Sequence, residues 1–315
     1  MNVWERNALF LLPFVNAVKE RSVDVHGIVV HRHQALIGRC HFKNLYRENV
    51  YSCAKSVVSL AFGIAAGEGL LSLDDRVSDV LAEWVPEDPS PMLSELTMRS
   101  LLTMSAGFRR DPLPHRHSDS FSEDWAGICL GAPFEKRPGT SFYYQNAPTY
   151  LISRSIEKRA GETLLKYLKP RLFDPLGIPN PQWFECPNGH TSAFSGLFLT
   201  PEEMADIGEL CLQNGSWRGK QLVPEEYMKE ATSFQIDNRE NRLTHEKDDT
   251  SGYGYFFWIG SEPGLSYASG VYGQQIYIFR ELDAVISVTA DIEEGDANQI
   301  LLDLIREHLI PNLPE

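Results

Sequence analysis

Two residues three positions apart, Ser52 and Lys55 in "NVYSCAKSVVSLAFGIAAGEG" (49–69), are of types that can do acyl-transfer chemistry. A serine hydroxyl is a poor nucleophile at neutral pH and needs a base for its proton. Residues i and i+3 share a helix face, so the lysine amine can lie near the hydroxyl. Burial or a second cation can lower its pKa far enough for it to take that proton. The apolar run after Lys55 would supply the burial, and the free N–H groups at a helix N-terminus favour developing negative charge. An isolated S-x-x-K occurs by chance in many chains, and Ser52 as a helix N-cap followed by a solvated Lys55 is the plainer account of the motif alone.

A second group, Tyr144-Gln145-Asn146, lies in "PGTSFYYQNAPTYLIS" (138–153) ahead of a helical pattern. A phenol beside an ammonium ionises more easily and could relay protons, and Asn146 could hold both the lysine and a substrate carbonyl. The alternative is a loop of packed aromatics, with Asn146 as N-cap and Pro148 in the first turn. His31 and His33 read as alternating on one strand face, and His115 and His117 sit in "DPLPHRHSDS". Without a third ligand in a recognisable pattern neither pair predicts a metal site. The five cysteines, Cys40, Cys53, Cys129, Cys186 and Cys211, are scattered and odd in number, which argues against a disulfide framework and for reduced thiols. There is no H-E-x-x-H and no G-x-S-x-G elbow.

The elements that must position these groups follow from periodicity. The N-terminal "MNVWERNALFLLPFVNAVKERS" reads as an amphipathic helix and not a signal peptide. A hairpin is predicted over 24–42 and a buried helix from Lys55 to Ala66. Helical periods dominate from Leu70 to Leu172. A further helix follows Thr200, its N-cap, with Pro201 in the first turn, Glu203 three on and a stop at Asn214-Gly215. Strands are expected in 252–260, 266–281 and 283–291, before a last helix in "ANQILLDLIREHLI". Strands at both ends and helices between imply an antiparallel sheet built from the two termini with a helical lobe inserted. The division expected is 1–68 plus 222–315 for the sheet lobe and 69–221 for the helical lobe. The polar stretch 109–124 could be a lid over the site or a plain surface loop. Tyr267, Tyr272, Trp258 and Trp125 could line an acyl pocket, core packing being the expected role of at least two.

S-x-x-K followed by Y-x-N resembles the serine β-lactamase and penicillin-binding-protein superfamily, in particular the class C β-lactamase, esterase and D-peptidase branch. "GLLSLDDRVSDVL", "LTMRSLLTMSAGF", "KRPGTSFYYQN", "SIEKRAGETLLKYLKPRLFDPLGI", "SGLFLTPEEMADIGELCLQNGSWRGKQLVPEEY" and "GYGYFFWI" are similar to family landmarks in family order, from about residue 25 to the C-terminus. The resemblance implies an α/β fold of β-lactamase/transpeptidase type. Ser52 would be the acylated nucleophile, Lys55 its base, Tyr144 a general base or proton relay, and Asn146 the residue that orients lysine and substrate. The third family motif, Lys-Thr-Gly or His-x-Gly on a strand, aligns with Ala268-Ser269-Gly270. Val271 would then pair its N–H with that of Ser52 in an oxyanion hole, while Ser269 and Gly270 border the substrate. Ala268 departs from the pattern: a cation there commonly steers a substrate carboxylate. Its absence weakens the case for β-lactams and D-Ala-D-Ala peptides.

The expected activity is therefore a serine hydrolase acting on a small ester or amide, without metal or organic cofactor. The alternatives are a β-lactamase or D-amino-acid peptidase (carboxypeptidase), and a catalytically silent member used as a binding protein. A net charge of −14 argues against nucleic acid as a partner. No run reaches the ~18 apolar residues of a membrane span. A cytoplasmic location is expected, and the sequence leaves the oligomeric state open.

Overall fold

The computed structural model describes residues 9–44, 46–113, 124–240, 248–293 and 296–314. Helix α1 (Leu12–Glu20) carries Pro13 in its first turn, where a missing N–H costs nothing, so the proline that interrupts the apolar run starts the helix instead. The predicted hairpin follows as β1 (Val25–Arg32) and β2 (Ala35–His41). Next comes α2 (Cys53–Gly67), buried from Cys53 through Ala65 as its unbroken apolar run requires.

A series of short helices then leads to α3 (Ala147–Ala160), which ends at Gly161 in the left-handed conformation, φ +74°. Helix α4 (Pro201–Leu212) begins with the capping box read from Thr200 and Glu203, each side chain meeting the other's backbone N–H. The C-terminal part supplies β3 (Trp258–Ile259), β4 (Leu265–Gly270), β5 (Gln274–Phe279), β6 (Ala284–Ala290) and α5 (Ala297–His308).

The six strands pair antiparallel in the order β2-β1-β6-β5-β4-β3, so the two ends of the chain meet in mid-sheet, Val25 opposite Ala290 and Arg32 opposite Ala284. Alternation along β5 sends Ile276 to one face, against Gly208 of α4, and Tyr277 to the other, where its hydroxyl donates to Asn298 of α5. A methyl on Gly208 would come within 2.7 Å of Ile276 and 2.5 Å of Val285, so this glycine lets α4 lie directly on the sheet. No helix among the described residues is long and apolar enough to cross a membrane.

Two expectations need correction. The stretch 252–260 forms a strand only at Trp258–Ile259. Phe256 has φ +58°, Gly252 has φ +142°, and Tyr253 forms an isolated bridge with Trp258, so the chain doubles back on itself. Tyr253, Tyr255, Phe256 and Phe257 go into the core, and burial of aromatic area accounts for a composition that reads as β. His31 and His33 do not share a strand face, because β1 ends at Arg32 and His33 sits in the turn with φ +51°, its Nδ1 on Asp283.

Candidate active site

The approach to Ser52 is pinned before the helix begins. Asn49 Oδ1 accepts from Tyr51 N at 2.9 Å and Gly196 N at 3.0 Å, while Val50 N donates to Leu197 O at 2.8 Å. These bonds hold Tyr51 at φ +46°, a conformation that costs a bulky side chain energy and is found where surroundings impose it. Ser52 then occupies the N-cap position of α2 without using its hydroxyl as a cap. The Cys53 thiol donates to Gln274 O at 3.0 Å and ties this end of α2 to the sheet.

The Ser52 hydroxyl is engaged by Lys55 instead. Lys55 is 1% exposed, and its Nζ lies 3.0 Å from Ser52 Oγ, 3.0 Å from Asn146 Oδ1 and 3.1 Å from Phe194 O. A cap plus a solvated lysine is thereby excluded. Burial lowers the amine from 10.5 to about 7, with the negative charge of Asp111 pulling the other way. Three acceptors match the three donors of an ammonium. Once neutral, the amine can keep Asn146 and Phe194 as acceptors and turn its lone pair to the Ser52 proton, which is the geometry of a general base.

Burial pushes the Tyr144 phenol well above the ordinary range, with the neighbouring Ser52 hydroxyl pulling the other way, so at neutral pH it is a neutral O–H. Its ring lies 5.0 Å from Lys55 Nζ and stacks on Trp258 with centroids 5.3 Å apart. Asn146 precedes α3 without capping it through its side chain. Asp111, distant in sequence, does that work: Oδ2 accepts from Asn146 N at 2.8 Å and Oδ1 from Ala147 N at 3.2 Å. The Asn146 amide is thus available to Lys55 and to Leu113 O, the latter at 3.3 Å. Burial raises the Asp111 carboxyl above its usual pKa, opposed by its backbone hydrogen bonds and by Lys55.

Strand β3 pairs with β4 only at Tyr267 and Ser266, so that among the described residues the far half of β4 has no strand partner on that side. There a cavity of 670 Å³ is bordered by Ser52, Tyr144, Asn146, Ser269, Gly270 and Val271 together. An added Cβ on Gly270 would lie 2.4 Å from Val50 O and 3.2 Å from Ser52 N, so only glycine lets β4 come this close to the head of α2. Neither Ser52 N–H nor Val271 N–H is taken up by a backbone acceptor among the described residues. Ala268 is buried, two positions before Gly270 and therefore on the same face of β4.

All seven residues singled out from the sequence converge here, with Lys55 beneath the cavity floor. Of the proposed pocket aromatics, Trp258 and Tyr272 border the cavity. Tyr267 is buried with its hydroxyl on Asp249, and Trp125 packs on Tyr150 and Phe194. Phe194 O and Asp111 escaped the sequence reading. A backbone carbonyl has no side-chain signature, and Asp111 sits in the stretch read as a lid, most of which, with His115 and His117, lies outside the described residues. Asp24, His26 and Asp291 also converge, but the Lys43 ammonium already sits among them, 2.8 Å from Asp24 and 2.9 Å from His26.

Comparison with known proteins identifies the family and the fold. The family model described as Beta-lactamase matches residues 47–309. An uncharacterized protein of Alkalihalophilus pseudofirmus is 24% identical over 227 residues, 66% of this chain and 60% of that protein. Lovastatin esterase of Penicillium rubens is 27% identical over 185 residues, 52% of this chain and 46% of the esterase. The chain therefore spans roughly half the length of the curated relatives it matches. Among solved structures, a provisionally named 6-aminohexanoate-dimer hydrolase of Bacillus anthracis superposes with a TM-score of 0.77 at 19% identity, covering 96% of this chain and 83% of that one. The fold is of β-lactamase/transpeptidase type, and from residue 47 to residue 309 the chain belongs to the beta-lactamase family.

Proposed function

We propose that the protein is a serine hydrolase that acylates Ser52 and passes the acyl group to water, with a small ester or amide as substrate. The observation that carries this reading is the buried Lys55 amine, held on Ser52 Oγ, Asn146 Oδ1 and Phe194 O and poised near neutral pH. In the first half-reaction Ser52 Oγ bonds to the substrate carbonyl carbon while its proton passes to Lys55 Nζ. The tetrahedral oxyanion faces the N–H groups of Ser52 and Val271. The bond to the leaving oxygen or nitrogen then breaks, and the proton travels from Lys55 through Tyr144 to that atom. A water then attacks the acyl carbon and gives its proton to Lys55, and the Oγ–carbon bond breaks as Lys55 returns that proton to Ser52 Oγ, releasing the acid and restoring the hydroxyl.

Esters and small amides are favoured over β-lactams because Ala268 stands where the family pattern places a cation that steers a substrate carboxylate. The esterase name of one relative points the same way. Incubation with a p-nitrophenyl ester and intact-mass spectrometry test the reading. A transient mass increase on the native chain, absent from Ser52→Ala together with at least about 10³-fold of the turnover, is expected. Persistence of activity in Ser52→Ala would remove the nucleophile. A stable adduct with labelled penicillin but no ester turnover would favour the β-lactamase or D-peptidase alternative.

A further inference from the structure

The two N–H groups that the hydrolase reading assigns to the oxyanion each have a tyrosine as chain neighbour: Tyr51 precedes Ser52, and Tyr272 follows Val271. Both tyrosines are left-handed, Tyr51 at φ +46° and Tyr272 at φ +67°. A bulky residue rarely adopts that region; where one does, the surroundings impose it, and such residues cluster at functional sites. The two rings meet edge-on with centroids 5.3 Å apart. Their contact joins the approach to α2 with the turn between β4 and β5, the two segments that carry the donors.

The strand ends on either side of that turn are held to α2 by other means. Gly270 comes against Val50 O and Ser52 N, and the Cys53 thiol donates to Gln274 O at 3.0 Å. Between them lie Val271 and Tyr272. Val271 is 55% exposed, so its side chain is no anchor for its own N–H. Tyr272 O accepts from Ile292 N at 3.0 Å, which ties the turn to the segment after β6 and not to α2. The Tyr272 ring is the part of the turn that reaches the Ser52 side, by way of Tyr51. Stabilisation of an oxyanion depends on donors fixed before the charge develops, and edge-on rings have a preferred geometry that fixes them. Both rings border the cavity as well, and packing on substrate is the competing role.

We propose that the Tyr51–Tyr272 ring contact is a clasp that sets the spacing of the Ser52 and Val271 N–H groups, which makes both tyrosines positioning residues of the oxyanion hole; the proposal rests on the hydrolase reading above. The test compares Tyr51→Ala, Tyr272→Ala, the double variant and Tyr272→Phe with the native protein, Tm confirming the fold of each. Ala, unlike Gly, leaves the cost of the left-handed backbone in place, so what is removed is the ring contact. The substrates are vinyl acetate, which has no aryl group and a single acyl methyl, and p-nitrophenyl hexanoate. Each Ala variant should lose about tenfold or more in kcat/KM on both esters alike, and Tyr272→Phe should stay near native. The double variant should lose no more than either single one, because a contact can be broken only once. A trifluoromethyl ketone, whose carbonyl carbon takes Ser52 Oγ while the proton passes to Lys55, leaves an alkoxide in the same hole. Its affinity should fall by the same factor.

Unchanged kinetics, a loss confined to the hexanoate, or single losses that multiply in the double variant would overturn the proposal and leave the hydrolase reading standing. If the native protein turns over neither ester, hydrogen exchange reads the clasp without chemistry. Tyr51 O accepts from Ala54 N and Tyr272 O from Ile292 N, so these two amides report how firmly the tyrosine backbones are held. Faster exchange in Tyr272→Ala but not in Tyr272→Phe keeps the clasp while the hydrolase reading falls. Exchange unchanged in both removes the clasp as well.

Discussion

A lysine amine buried as deeply as Lys55 is a cost to the fold that is repaid only in chemistry. Its pKa near 7 against an ordinary 10.5 has a definite sign for stability. Between those values the unfolded chain binds a proton that the folded chain does not, so stability rises with pH across the window. The Tm of the native protein should therefore gain on that of Lys55→Met as the pH is raised from about 7 to 9, measured by calorimetry on both. The same ionisation sets activity: kcat/KM for an activated ester should climb about tenfold per pH unit below pH ~7 and level off above it. Asp111 lifts the Lys55 pKa and holds Asn146 N and Ala147 N. Asp111→Asn should move the ascending limb to lower pH, and it should lower the plateau about tenfold because one anionic acceptor is lost from the head of α3. A limb that stays in place would dissociate Asp111 from Lys55. At this scale the sequence was informative where chemistry resides in side-chain types at helical spacing, as with Ser52 and Lys55. It was silent where chemistry is done by the Phe194 carbonyl, or by a carboxylate that reaches a helix far along the chain.

Elements matter here for how closely they approach one another. The head of α2 and the end of β4 touch through Gly270, which an added methyl would press to 2.4 Å from Val50 O. Backbone is what it would meet, so the strand must shift away. Gly270→Ala should lower kcat/KM by at least about 10²-fold, because a displacement of the oxyanion donors near 1 Å is enough for that. The fold should lose only about 1–3 kcal/mol. Urea unfolding beside ester kinetics separates the two, and a variant with normal turnover would show that the contact is packing alone. The elements themselves were largely legible, for identifiable reasons. The hairpin at 25–41 is rich in Val and Ile around a short polar break, α2 is apolar on all faces, and α4 announces its start with Thr200, Pro201 and Glu203. The segment 252–260 was misleading because aromatics mark burial as strongly as they mark strands. Here the left-handed Phe256 and the wide φ of Gly252 turn the chain before a ladder can form.

For the whole molecule, one sheet made from both chain ends gathers residues 52, 144 and 269–271 at a single strand edge, and this assembly carries a net charge of −14. Such a body draws cations towards it over roughly a Debye length, which is about 30 Å at 0.01 M salt and about 8 Å at 0.15 M. If the acidic surface steers charged substrates, kcat/KM for a cationic p-nitrophenyl ester should fall several-fold between those salt concentrations while that of an uncharged ester of the same shape stays level. Equal slopes for the two esters would mean that the net charge plays no part in bringing substrate to Ser52.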